Sequence, residues 1–124
     1  LTLLKYEKLY NYALERKTKL TVGVKKHVTP FAFGDIISEG DFVKGIEEKP
    51  DIVKYILSGI YAMTPEVLNY IPDNTYFGMD TLIKTMLAAN DPIVKYEIED
   101  YWMDIGQIAD YQKANEIYED FLKA

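Results

Sequence analysis

The 124-residue sequence contains no cysteine and a single histidine. The lack of cysteine excludes a disulfide framework, a thiolate metal site and a cysteine nucleophile, so the fold must be held by packing alone. One histidine, His27, excludes a multi-histidine metal centre. Because His27 adjoins lysines on a segment that we predict as a loop, we interpret it as a solvated side chain with no catalytic role.

Long apolar runs and basic patches are also missing. No stretch of about 20 apolar residues could span a bilayer, and no charged-then-apolar leader is visible. The 20 acidic and 14 basic residues give a net charge of −6, which repels nucleic acid. We therefore expect a soluble, cytoplasmic protein with neither a membrane nor a nucleic acid as partner.

Complete nucleotide-binding motifs are absent as well. The seven glycines form neither G-x-G-x-x-G nor G-x-x-x-x-G-K, and there is no Asp-x-Asp pair. The sequence also opens on an apolar Leu-Thr-Leu-Leu segment without an initiator methionine. We expect parts of a site at most, and a piece of a longer protein.

What the sequence does contain is typical of one globular α/β domain covering residues 1–124. Hydrophobic residues make up 48% and charged residues 27%, both near the globular average. Apolar residues that recur about every 3.6 positions predict helices, and apolar residues that alternate with polar ones predict strands. The predicted helices cover residues 3–17, 65–70, 79–87 and 108 to the chain end; the predicted strands cover 20–25, 31–37, 42–47, 54–63 and 93–98. Strands interleaved with helices predict an α/β sheet with helices on its faces.

Two apolar features indicate where the core should be. The run at 54–63 is almost continuously apolar, which is typical of a strand covered on both faces, and we predict it as the central strand. The helical stripes at 79–87 and 108–121 are predicted to face the core.

One candidate site is the charged segment that ends in Glu48, Lys49 and Pro50. Proline biases the residue before it toward extended geometry, so the Lys49 side chain should leave the strand in a defined direction. Its ammonium could anchor a phosphate, and the Glu48 carboxylate could accept hydrogen bonds from hydroxyls. A plain solvated turn is the commoner outcome for such a segment, and both interpretations stay open.

The other candidate is Asp104, two residues after the one tryptophan, Trp102, and just ahead of the last helix. A carboxylate there is either a metal ligand or, together with Gln107, part of a helix cap. The residues alone do not decide between the two.

Five segments in this order resemble the sugar-phosphate nucleotidyltransferases, the family of mannose-1-phosphate guanylyltransferase and glucose-1-phosphate thymidylyl- and uridylyltransferases. Each motif alone is weak to moderate, but five in the right order make chance unlikely. The segments are Phe33-Gly34, Gly45-Ile46-Glu47-Glu48-Lys49-Pro50, Ser58-Gly59-Ile60-Tyr61, Pro65-Glu66-Val67-Leu68 and Tyr101-Trp102-Met103-Asp104-Ile105-Gly106.

The resemblance implies a fold, a reaction and a set of site residues. The fold would be the C-terminal part of a Rossmann-like nucleotidyltransferase domain, with a mixed sheet flanked by helices. The reaction would transfer a nucleotidyl group from a nucleoside triphosphate to a sugar-1-phosphate, releasing pyrophosphate, with Mg²⁺ as cofactor. Asp104 would be one of two aspartates that hold the metal, and Lys49 would be the second catalytic residue. The implied substrate contacts are Gly34, Glu48, Lys49, Ser58 and Gly59.

The departures from the family pattern limit these expectations. Leu57 stands where many guanylyltransferase-like members have asparagine, which weakens an assignment to mannose. The family's glycine-rich loop, base-reading residues and first metal aspartate would lie upstream of Leu1. We therefore expect the chain alone to be inactive and, because the strand at 54–63 would have an unpaired edge, to form a homo-oligomer. The alternative is a noncatalytic module of the same outline that serves in regulation or subunit interaction.

Overall fold

The computed structural model describes residues 1–122 of the protein, and residues 123 and 124 at the predicted end of the last helix lie outside the described part. The described elements alternate as the sequence predicts, except that the segment after Thr64 is a 3₁₀ helix. The helices are α1 (Tyr6–Arg16), the 3₁₀ helix (Pro65–Tyr70), α2 (Met79–Ala88) and α3 (Ile108–Leu122). The strands are β1 (Leu20–Pro30), β2 (Gly34–Glu39), β3 (Phe42–Glu48), β4 (Asp51–Met63) and β5 (Ile93–Glu97).

The main sheet has the strand order β4-β1-β5. Strands β1 and β5 are parallel, with Leu20 opposite Ile93. Strand β4 runs antiparallel to β1, since the amide of Thr64 donates to the carbonyl of Lys19 at 2.8 Å just beyond the end of β4 and the start of β1. The mixed α/β sheet flanked by helices that we predicted is confirmed.

The central strand is β1, so the prediction that residues 54–63 form the central strand is wrong. Within the described residues β4 lies at an edge of the sheet, and many of its apolar side chains are exposed, Leu57 among them. A continuous apolar run shows that both faces of a strand are apolar. It does not show that both faces are covered by this part of the chain.

The chain divides into two compact units. The first unit contains residues 1–25 and 57–124, and the second contains residues 26–56. Strands β1 and β4 each contribute residues to both units.

The first unit holds the buried core. Its members come from β1, the 3₁₀ helix and α2, and they are Leu20, Val22, Val24, Val67, Leu82 and Met86. The predicted core stripe of α2 is therefore correct at Leu82 and Met86, whereas Leu87 is half exposed.

Helix α3 is less buried than its apolar stripe predicts. Ala114 is buried, but Ile108 is 80% exposed and Tyr111 is 59% exposed. The prediction that this stripe faces the core is wrong at these two positions, because helical spacing reveals an apolar face and not the presence of a partner.

The second unit contains the antiparallel hairpin β2-β3, in which Gly34 lies opposite Glu48. The register shifts by one residue after Ile37, which leaves Lys44 as the extra residue of a β-bulge. Gly40 adopts a φ of +57° in the connecting turn, where a side chain would be strained. His27 lies in β1 and not on the predicted loop, and its side chain is exposed as predicted.

Among the helices of residues 1–122, none combines the length and the hydrophobicity of a membrane-spanning segment.

Candidate functional site

A cleft of about 360 Å³ in the first unit contains Asp104. Asp104 lies on the segment between β5 and α3, beyond the carboxyl ends of the parallel pair β1 and β5, where α/β sheets commonly bind ligands. The cleft is lined by Leu1, Thr2, Tyr6, Ser58, Ile60, Trp102, Met103, Asp104 and Ile105.

The Asp104 carboxylate is exposed to this cleft. Among residues 1–122 it has neither a hydrogen bond nor an ion pair with a side chain or a backbone group. Its Oδ2 atom lies over Gly106, so close that a Cβ at this glycine would be 3.2 Å away. The N-terminus of α3 is instead capped by Asp110, whose Oδ2 accepts from the amide of Gln107 at 3.1 Å. The capping role that we considered for Asp104 therefore belongs to Asp110.

Hydrogen bonds hold the segment that carries Asp104 against the rest of the first unit. The indole Nε1 of Trp102 donates to the carbonyl of Ser58 at 3.2 Å. The amide of Met103 donates to the carbonyl of Leu1 at 2.8 Å, and Thr2 forms an antiparallel bridge with Trp102. The backbone on both sides of Trp102 is thus fixed on the wall of the cleft.

Ser58, a predicted substrate contact, lies on the same wall. Its hydroxyl donates to the carbonyl of Gly23 at 2.8 Å and accepts from the amide of Ile60 at 3.3 Å. A hydroxyl has one donor and two acceptor sites, so one acceptor site is left for a ligand. The strands approach closely here: a Cβ at Gly23 would be 2.7 Å from the Ser58 hydroxyl.

Gly59, the second predicted contact on β4, has a φ of +78° inside the strand. Only glycine adopts this backbone without strain, and nothing lies within 4 Å of where a Cβ would be. A glycine of this kind in a strand often marks a bulge or a close approach by a ligand.

The remaining predicted residues, Gly34, Glu48 and Lys49, lie together in the second unit. Gly34 and Glu48 are paired across the hairpin, and Lys49 follows directly. Lys49 has a φ of +49°, so our prediction of extended geometry at this residue is wrong. Because β3 ends at Glu48 and β4 begins at Asp51, the chain must turn within two residues, and this turn overrides the preference imposed by Pro50.

The Lys49 ammonium makes no ion pair with any carboxylate in the described part of the chain. The structure therefore groups Ser58, Gly59 and Asp104 in the first unit, and Gly34, Glu48 and Lys49 in the second.

Lys25 is a residue of this region that sequence reasoning missed. Its Nζ atom donates to the backbone carbonyls of Ile98, Glu99 and Asp100, at 2.9, 3.3 and 2.8 Å. In the sequence Lys25 is merely one member of a small basic cluster. The carbonyls are more than 70 positions away, and no local pattern predicts the contact.

A second polar cluster, also missed, lies at the opposite end of β1. The Asp91 carboxylate accepts from the Lys19 ammonium and from the Tyr70 hydroxyl, both at 2.7 Å. These hydrogen bonds lower the pKa of Asp91 and raise the pKa values of Lys19 and Tyr70. Every group in the cluster is paired, which is typical of a structural contact.

A larger cavity of about 490 Å³ lies between α1 and the end of β4. Its lining is mainly apolar and includes no acidic or basic side chain, so we assign it no catalytic role. It is lined by Tyr6, Leu9, Tyr10, Ala13, Leu14, Thr18, Ile60, Tyr61, Ala62, Met63 and Thr64.

Comparisons with known proteins agree with this fold. Residues 2–120 match the model of a protein family described as nucleotidyl transferase. A Sulfolobus acidocaldarius protein provisionally named a mannose-1-phosphate guanyltransferase is 30% identical over 112 residues, which are 89% of this chain and 31% of the relative. A Debaryomyces hansenii mannose-1-phosphate guanyltransferase is 26% identical over 119 residues, 91% of this chain and 32% of the relative.

Among solved structures, a Bacillus anthracis protein provisionally named a glucose-1-phosphate thymidylyltransferase, in complex with sucrose, superposes with a TM-score of 0.66. The two are 20% identical, and the match covers 97% of this chain and 51% of the other, so it shows a shared fold. The chain spans about a third of the length of the curated relatives it matches.

Proposed function

Because the chain belongs to the nucleotidyl transferase family, we propose that it forms the sugar-phosphate side of an enzyme that transfers a nucleotidyl group from a nucleoside triphosphate to a sugar-1-phosphate. The observation that carries this proposal is the Asp104 carboxylate, exposed in a cleft and unpaired within the described residues. A structural carboxylate is normally tied to a partner, as Asp91 and Asp110 are here.

The names of the two relatives, both mannose-1-phosphate guanyltransferases, support a sugar-1-phosphate as the acceptor. Leu57 argues against assigning the same sugar to this chain, since an apolar side chain stands where many such enzymes have asparagine. We therefore propose the class of substrate and leave the sugar and the base unassigned.

We propose Mg²⁺ as the cofactor, because the donor set fits this ion. Mg²⁺ prefers oxygen ligands, keeps several waters, and is commonly bound by one or two carboxylates together with substrate phosphates. Residues 1–122 contain no group of three side chains that could hold a metal by themselves, so Asp104 would act with a second carboxylate and the phosphates. When bound, the ion neutralises charge on the phosphates during transfer.

In the proposed reaction, an oxygen of the sugar-1-phosphate attacks the α-phosphorus of the triphosphate. The new P–O bond forms as the bond to the bridging oxygen breaks, and pyrophosphate leaves with the electron pair. Catalysis of this type is mostly positioning and charge stabilisation. We assign the Lys49 ammonium to hold the sugar phosphate, since a lysine without an ion-pair partner can bind phosphate as a point charge.

The remaining contacts are proposed for the sugar. The Glu48 carboxylate can accept hydrogen bonds from hydroxyl groups, and Gly34, opposite it in the hairpin, adds no side-chain bulk. On β4, Ser58 has one free acceptor site, and the backbone of Gly59 is open to a close approach, since nothing lies within 4 Å of where a Cβ would be.

The decisive experiment measures pyrophosphate release by the whole protein with a panel of nucleoside triphosphates and sugar-1-phosphates. Asp104→Asn should lower kcat/KM by at least about a hundredfold, because even outer-shell partners of a metal are typically worth 10- to 100-fold. Asp80→Asn is the matched control: Asp80 is an exposed acid on α2 whose 3.8 Å ion pair with Lys84 is weak.

Two results would contradict the proposal. Turnover that is unchanged in Asp104→Asn would remove this residue from the mechanism. A whole protein that is folded but inactive with the entire panel would support the noncatalytic, regulatory or subunit-interaction module instead.

The 124-residue chain by itself should be inactive, because one carboxylate holds Mg²⁺ poorly. We also propose that it self-associates, since β4 presents an apolar sheet edge that is unpaired within the described residues. Light scattering over a range of concentrations tests this, and a monomer at high concentration would contradict it. The lack of cysteine agrees with a cytoplasmic location, which is likewise a proposal.

A further inference from the structure

The Lys25 ammonium has an unusual set of partners. A lysine has three N–H donors, and here they point to three backbone carbonyls from successive residues, 98 to 100, at 2.8–3.3 Å. Among the described residues no carboxylate pairs with Lys25. The side chain is partly buried, so these carbonyls are its main polar environment.

These contacts fix the start of the segment that leads to Asp104. The amide of Ile98 donates to the carbonyl of Val24 at 2.9 Å, which continues the pairing of β1 and β5 by one residue. The paired register of β1 and β5 ends at Val24 and Glu97, and the Lys25 side chain joins the residues that follow, 98 to 100, to β1. Only three residues separate Asp100 from Asp104.

We propose that Lys25 is a positioning residue for Asp104. Its ammonium sets the path of residues 98–100, and this path determines where the carboxylate stands in the cleft. Lys25 itself does not line the cleft, so it is not a catalytic residue. The inference rests on the proposed function of Asp104 as a metal ligand.

The expected effect is partial, because other contacts also hold this segment. The indole of Trp102 is bonded to Ser58, and the backbone of Tyr101 and Met103 is bonded to residues 1–3, so the segment keeps these anchors when Lys25 is lost. The loss of a supporting partner typically weakens a metal site by 10- to 100-fold. Because these anchors are retained, we expect the lower end of this range, about tenfold.

The test compares Lys25→Met and Lys25→Arg with Lys19→Met in the whole protein. Methionine keeps the apolar stem and removes the cation, and arginine keeps a cation that can still donate to carbonyls. Lys19→Met is the matched control, since Lys19 immediately precedes β1 and is bonded to Asp91 at the other end of the strand. Two quantities are measured: hydrogen exchange of residues 98–104 by mass spectrometry, and the Mg²⁺ concentration that gives half-maximal turnover.

Lys25→Met should accelerate exchange in residues 98–104 and raise the half-maximal Mg²⁺ concentration about tenfold. Lys25→Arg should be close to the wild type both in the exchange of residues 98–104 and in the half-maximal Mg²⁺ concentration. Lys19→Met should accelerate exchange near Asp91 and leave the Mg²⁺ requirement unchanged.

The inference is overturned if Lys25→Met matches the wild type in both measurements, or if Lys19→Met raises the Mg²⁺ requirement as much. Asp104→Asn separates this failure from that of the proposed function. If Asp104→Asn is inactive while Lys25→Met behaves as wild type, only the role of Lys25 fails. If Asp104→Asn keeps full turnover, the proposed function fails and the role of Lys25 fails with it.

Discussion

Lys19 and Asp91 lie 72 residues apart in the sequence, and their side chains meet at 2.7 Å between Nζ and Oδ2. The Tyr70 hydroxyl donates to the same carboxylate oxygen. One carboxylate therefore joins the residue before β1, the end of the 3₁₀ helix and the turn before β5. This relationship leads to two predictions on stability.

Asp91→Asn should lower the melting temperature of the protein. The Asp91 side chain is only 12% exposed, and the neutral amide would leave the Lys19 ammonium without its counter-charge. Thermal unfolding followed by circular dichroism measures the change. Asp80→Asn, which removes an exposed ion-pair partner on α2, should leave the melting temperature nearly unchanged, and an equal loss in both variants would contradict the importance of the cluster.

Stability should also fall at both ends of the pH range through this cluster. The pKa of Asp91 is lowered from its ordinary value of 3.8, so its contribution is present above that value and is lost as the pH falls through the folded-state pKa. The pKa values of Lys19 and Tyr70 are raised from 10.5 and 10.0, so their contribution is full below about pH 10 and is lost as the pH rises through the folded-state values. The melting temperature should vary less with pH in Asp91→Asn than in the wild type. The same pH dependence in the two proteins would contradict the role of this cluster.

Lys49 should show opposite effects on stability and on substrate affinity. Lys49→Gly relieves a left-handed backbone that costs about 1–2 kcal/mol, but it adds unfolded-chain entropy that costs about 0.4–1 kcal/mol, so the net change should stabilise the protein by up to about 1.6 kcal/mol. Losing the ammonium should raise the KM for the sugar-1-phosphate roughly 10- to 150-fold, which corresponds to about 1.5–3 kcal/mol for a charge-assisted hydrogen bond.

Lys49→Met separates the two effects, because it removes the charge and keeps the strained backbone. It should match Lys49→Gly in KM without the gain in stability in urea unfolding. An unaltered KM in both variants would exclude Lys49 as the phosphate anchor.

Gly59→Ala should destabilise the protein although there is room for the added methyl group. The cost comes from the φ of +78°, which an L-residue adopts at about 1–2 kcal/mol. Gly45→Ala on β3 is the control, since its φ is not positive and its Cβ would make an ordinary 3.6 Å contact with Ile37. Urea unfolding should show a clear loss for Gly59→Ala and little change for Gly45→Ala; equal losses would mean that φ is not the cause.

The helices and strands could be predicted from the sequence because their signals are local. The i, i+3, i+7 spacing of Met79, Leu82 and Met86 marks α2, and the alternation of Leu20, Val22 and Val24 marks the first half of β1. Both elements lie where these patterns put them. Burial was harder to predict: α3 and β4 carry equally clear apolar patterns, and Ile108 and Leu57 are exposed nonetheless. A pattern describes one element, whereas burial depends on what packs against it.

The candidate site also has features that the sequence predicts and features that it does not. Asp104 could be singled out because a carboxylate beside the one tryptophan is visible in the sequence, and its cleft is present in the structure. The left-handed conformation of Lys49 could not be predicted from the sequence, since it arises from the short connection between two strands. The contacts of Lys25 and Asp91 could not be predicted either, because their partners are distant in sequence. For Lys25 the partners are also backbone carbonyls, which every residue type has.

The hydrogen bond from Trp102 to Ser58 gives the chain a built-in optical reporter. The only indole of the 124 residues lines the cleft that holds Asp104, and its N–H donates to the carbonyl of Ser58 on β4, which lines the same cleft. Indole emission shifts in colour and intensity with polarity and hydrogen bonding, so a molecule entering this cleft should register in the intrinsic fluorescence of the chain without an added label.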